Sequence, residues 1–161
     1  MNKLVLANIG YEPVNGQGGH MTSEGMELQR GLEAIGWTLA GAGFGDGCRD
    51  VPTLLERHQP DVVLVQDKRD WDAFQPGAFR KDIGFTRLNV LASYPDVFKM
   101  AICKDAGSVQ DYHRRHCEEI AADAVLIYYH EGSVLGVSPW LQAYRLIRTY
   151  HSADSRLFSL P

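Results

Sequence analysis

Four consecutive apolar residues, Val62-Val63-Leu64-Val65, sit between Asp61 and Gln66 with none of the alternation that a half-solvated strand needs. A strand of that kind must be covered on both faces. A chain of 161 residues achieves this by laying helices over a parallel sheet. Similar short runs recur at Lys3 to Ile9, Trp37 to Phe44, Val97 to Cys103 and Ala124 to Tyr129. Each is separated from the next by a stretch with helical spacing or with turn residues.

The intervening segments carry start and stop signals. Ser23 is placed to cap a helix with Glu24 and Glu27 near its positive end; Met21, Leu28, Leu32 and Ile35 share one face, and Gly36 ends it. Asp50 or Thr53 caps a short helix containing Leu54 and Leu55, which stops near His58 because Gln59 precedes Pro60. The stretch 73–96 is irregular. Val109 to Ala121 is helical, with Tyr112, His116 and Ile120 at helix spacing, and Ser138-Pro139-Trp140 opens a last helix. Arg156 to Pro161 begins a further strand. The expected architecture is a doubly wound, mostly parallel α/β sheet, a Rossmann-like three-layer sandwich forming one domain over residues 1–161.

Composition narrows the partners. An apolar content of 45% with 22% charged residues is that of a globular domain. No apolar run approaches membrane-spanning length and the N-terminus has no signal-peptide pattern, so a cytoplasmic location is expected. Three cysteines at unrelated spacings argue against a disulfide framework. A net charge of −4 removes any whole-molecule attraction to nucleic acid or anionic lipid.

In a parallel sheet, ligands gather at the carboxyl ends of the strands. The loops expected there are Tyr11 to His20, Asp67 to Asp72, Lys104 to Ser108 and His130 to Ser133. Gly16-Gln17-Gly18-Gly19 is neither a dinucleotide fingerprint nor a P-loop; it reads as a flexible turn or as a bare-backbone anion site. His20 beside it is a solvated loop residue, a base or a phosphate donor. Asp105 is a helix cap or a base, with Lys104 next to it, and His130-Glu131 orients a substrate or caps a turn. His113, His116 and Cys117 share adjacent helix faces, but the neighbouring Arg114-Arg115 opposes a cation, so a half-buried helix with satisfied histidines is expected rather than a metal site. Trp71, Phe74, Phe79 and Phe85 form either core or a groove wall.

The order of features resembles the N-terminal domain of GT-B glycosyltransferases of the group 1 type, over essentially the whole chain. Gly18-Gly19 is similar to that family's first-loop glycine pair, and Leu32-Glu33-Ala34-Ile35-Gly36-Trp37 to its helix-closing turn. Gln59-Pro60-Asp61-Val62-Val63 and Ala122-Asp123-Ala124-Val125 resemble its strand starts, and Phe158-Ser159-Leu160-Pro161 the approach to its linker. The resemblance implies an acceptor-side domain that transfers a sugar once paired with a C-terminal donor domain. In that reading His20 and Asp105 are catalytic, and Gly18, Gly19, Lys104, His130 and Glu131 bind substrate or phosphate. A nucleotide-sugar is co-substrate, the acceptor is open, no other cofactor or metal is needed, and the isolated chain is inactive. The alternative is a stand-alone flavodoxin-like or nucleotide-binding module.

Overall fold

A computed structural model describes residues 3–7, 11–14, 17–21, 23–41, 48, 50–66, 86–103, 110–127, 135–136 and 138–148. Six strands form one parallel sheet: β1 (Leu4–Ala7), β4 (Thr38–Gly41), β5 (Val62–Gln66), β6 (Phe98–Cys103), β7 (Ala124–Ile127) and β8 (Arg145–Arg148). Their spatial order is β4-β1-β5-β6-β7-β8. Val62 to Val65 are all buried in the interior strand β5, as an unbroken apolar run requires. The doubly wound α/β architecture expected from the sequence is therefore present.

Side chains alternate between the two sheet faces, and the burial pattern separates them cleanly. Leu6, Val63, Val65, Ala101, Cys103, Val125 and Ile127 point into one core. There they meet Leu54 and Leu55 of helix α2 (Val51–His58), Leu88 and Leu91 of a 3-10 helix (Leu88–Ser93), and Cys117 and Ile120 at the end of helix α3 (Gln110–Glu119). Val5, Ala7, Val62, Leu64 and Ile102 point the other way, where Leu28 and Leu32 of helix α1 (Ser23–Ala34) pack against them. Right-handed crossovers produce this division. The step from β1 outward to β4 puts α1 on one face, and every later step runs in the opposite direction and puts its helix on the other.

The helices stop by backbone geometry. At the end of α1, Gly36 has φ 75°, its N–H donates to Glu33 O (3.0 Å), and Trp37 N–H donates to Leu32 O (2.9 Å). This paired closure needs a left-handed residue, which glycine adopts at no steric cost. Ile35, expected on the buried face, lies past the last helical residue and is 61% exposed. The same closure ends α3 with Ala121 at φ 50°, and α2 ends on Gln59 at φ 47°, whose N–H donates to Leu55 O (2.8 Å). Pro60 follows and prevents continuation.

Two elements also differ from expectation, and Met21, expected on the apolar face of α1, lies before that helix in a strand. The glycine-rich stretch after β1 contains a hairpin, β2 (Tyr11–Val14) and β3 (Gln17–Met21), paired antiparallel in a separate two-stranded sheet. Val14 pairs with Gln17, which leaves Asn15-Gly16 as the connecting dipeptide, the pair most favoured in tight hairpins. The register is irregular between Glu12 and Val14, at Pro13, which has no N–H to give to a ladder. The last helix is the second difference: Ser138-Pro139 opens only a 3-10 turn (Pro139–Ala143), and the chain then enters β8. Arg145-Leu146-Ile147-Arg148 pairs with β7 from Ala124 to Ile127, so the chain's backbone groups there are taken up by the sheet.

Candidate functional site

Because the six strands are parallel, their carboxyl ends share one edge. β1 has β4 on one side and β5 on the other, so the chain leaves β1 in one direction and returns past it in the other. The crevice opened by such a reversal lies outside the ends of β1 and β5. The hairpin follows β1 directly, and the connection bearing Lys104-Asp105 leaves β6 at Cys103. That bearing His130-Glu131 leaves β7 at Ile127. At one strand spacing per step, the ends of β1 and β6 are about 10 Å apart.

Gly18, Gly19 and His20 are therefore strand residues of β3, and His20 is the register partner of Glu12. Gly18 and Gly19 together face Pro13, where the register shifts, so the glycine pair sits in a bulge of the hairpin and not in the open turn expected from the sequence. Lys104, Asp105, His130 and Glu131, with Trp71, Phe74, Phe79 and Phe85, lie outside the described residues.

The motifs that carry the family resemblance have structural roles. Asp61 and Asp123 each precede the first residue of a strand and use the carboxylate on the neighbouring strand: Leu4 N–H donates to Asp61 Oδ2 (2.8 Å) and Lys99 N–H to Asp123 Oδ2 (2.7 Å). In turn, the backbone N–H of Asp61 donates to Leu4 O (3.0 Å) and that of Asp123 to Lys99 O (2.8 Å). Both clamps hold the amino-terminal edge of the sheet, opposite the crevice. Lys99, only 4% exposed, sends its ammonium to Tyr94 O (3.2 Å) and to Asp123 Oδ2 (3.6 Å).

On the crevice side, the start of α2 adds a charged corner that the sequence reading did not single out. Asp50 caps α2 by accepting from Thr53 N–H (3.3 Å) and Thr53 Oγ1 (2.5 Å), and the guanidinium of Arg87 grips both its oxygens. These hydrogen bonds, Arg87 first and then Thr53, hold the Asp50 carboxyl at about 2. Val51 N–H also donates to Thr86 O (3.2 Å), and Arg87 itself is left-handed at φ 56°. The pairing joins positions 37 apart, so no local sequence signal could have announced it.

On α3, His113 and His116 are buried, in keeping with the expected half-buried helix. Among the described residues no group of three or more His, Cys, Asp or Glu is arranged to hold a metal ion, and no helix is long and apolar enough to cross a membrane. No protein-family model matches this chain, and comparisons with curated proteins and with solved structures return no match.

Proposed function

We propose that this domain is the acceptor-side half of a two-domain glycosyltransferase, working at the carboxyl edge of its sheet with a nucleotide-sugar held mainly by a partner domain. The observation that supports the reading is topological: the stretches bearing Gly18-Gly19-His20, Lys104-Asp105 and His130-Glu131 follow strands of one parallel sheet and leave it at one edge. Transfer requires a base for the acceptor hydroxyl and positive charge for the departing diphosphate. Asp105 or His20 takes the first role, Lys104 and the β3 amides the second, and His130-Glu131 orients the acceptor.

A second reading has its own support. Counting only the strands of the main sheet, the order is 2-1-3-4-5-6, which extends the flavodoxin-like order. This favours a self-sufficient nucleotide-binding module. Calorimetric titration of the chain with a panel of nucleotide-sugars and free nucleotides separates the two. The half-enzyme reading expects weak binding by the chain alone and turnover once a donor-binding domain is supplied. In that reconstituted system Asp105→Ala or His20→Ala should lower turnover on the order of 100-fold or more without unfolding the chain. Tight, saturable binding by the chain alone would overturn the half-enzyme reading in favour of the module.

A further inference from the structure

We propose that this domain binds a second copy of itself through β4, pairing the two β4 strands antiparallel so that two six-stranded sheets become one. β4 ends the strand order, and among the described residues its ladder partner is β1 alone. Thr38 N–H donates inward to Lys3 O (2.9 Å), and successive residues of a strand alternate in direction, so the N–H and C=O of Leu39 point outward. A two-fold axis beside Leu39 lets each copy's Leu39 donate to the other and accept from it. The two edges of the sheet are built differently. β8, at the far end, begins and ends in arginine, and charge on an edge strand opposes pairing with another chain. Thr38-Leu39-Ala40-Gly41 carries no charge, no proline and no register shift against β1, so nothing in it guards against such pairing.

Helix α1 favours the same occupant. It lies over β1 and β4, so joining two β4 strands sets the two α1 axes about two strand spacings apart, roughly 10 Å, the separation at which helices pack. With Leu28 and Leu32 turned to the sheet, Met26, Arg30 and Glu33 lie a quarter turn or more round the helix, on the side that a right-handed crossover directs beyond β4. All three are exposed, Met26 by 42%. Counting back from Gly36, at about 1.5 Å per helical residue against about 3.3 Å per strand residue, puts the turn 30–33 level with Leu39. The two helices run antiparallel in the pair, so Arg30 of each copy comes opposite Glu33 of the other. A four-residue edge and one helix pair make a small interface, which fits reversible association in the micromolar range. The joint lies on the side of β1 away from β5, so both crevices stay open and the pairing is independent of the function proposed above.

The test is sedimentation of the full chain from low micromolar to submillimolar concentration, with amide exchange measured at both ends of the range. The weight-average mass should rise reversibly toward twice that of one chain, and exchange of the Leu39 amide should slow as it does. Thr38→Lys, at an exposed edge position, should weaken association about tenfold or more while circular dichroism stays that of the parent. Arg30→Glu sets like charges against each other across the axis and should weaken it comparably; adding Glu33→Arg to that variant should restore the parent dimer. A chain that remains monomeric at every concentration would leave β4 to some other partner and overturn the proposal. So would a dimer of parental affinity in Thr38→Lys, or one weakened by Arg30→Glu that the second exchange fails to recover. The charge exchange on α1 decides the matter even if Thr38→Lys does not fold.

Discussion

Asp50 shows how much one carboxylate can organise: it caps α2, binds Thr53 and fixes the turn at Arg87. Its folded-state pKa is depressed, so the stability it contributes is complete above the ordinary value of 3.8 and is lost as pH falls toward about 2. Acid unfolding followed by circular dichroism should therefore show a shallower loss of stability between those values in Asp50→Asn than in the parent. Helix ends offer a second residue-scale prediction. Ala121 occupies the left-handed position that Gly36 fills in α1, and a Cβ there is unfavourable, so Ala121→Gly should stabilise the fold by about 1 kcal/mol in urea titration. At this scale the sequence was partly legible. Asp50, Gly36 and Pro60 announced their helix ends, whereas Ala121 has no special signature and is forced into place by the entry into β7.

At the scale of elements, the paired clamps of Asp61 and Asp123 explain why an aspartate precedes an apolar run twice in this chain. Each completes a neighbouring strand's ladder where its own strand begins. Asp123→Ala leaves the Lys99 N–H short of its acceptor and a buried ammonium without its carboxylate. Destabilisation of about 1–3 kcal/mol is expected by chemical denaturation, and Asp123→Asn should recover part of it by restoring the acceptor. Strand positions were legible because five apolar runs needed burial. The hairpin was present in the sequence as Asn15-Gly16 between Val14 and Gln17, but the surrounding glycines masked it as loop. The turn at Pro139 was legible and its length was not: whether the chain continues as helix or joins β7 depends on a pairing partner distant in sequence.

For the molecule as a whole, the alternation of strands and helices fixed the class of fold, and the class fixed the edge at which a site belongs. Sequence alone could not fix the strand order, because the position of β4 beyond β1 depends on how crossovers pack. The proposal of glycosyl transfer comes from a resemblance, and three of the motifs that carry it prove to be a helix closure and two strand clamps remote from that edge. Leu54, wholly buried between α2 and the sheet, tests the cohesion of the larger core: Leu54→Ala should cost about 2–5 kcal/mol in urea unfolding with the transition still cooperative.

The strand order also sets a clock on the nascent chain. β1 is synthesised first yet lies between two partners, and the second of them arrives late: Leu4 and its clamp Asp61 are 57 residues apart. At translation speeds of about 5–20 residues per second, one hydrogen-bonding edge of β1 waits roughly 3–11 s for β5 after it leaves the ribosome. During that interval α1 and β4 can shield only one side of it. The later strands β6, β7 and β8 each dock beside the strand made just before them and incur no comparable delay. The vulnerable period for this fold therefore comes early in its synthesis, and a chaperone that holds exposed strand edges would act on the first third of the chain.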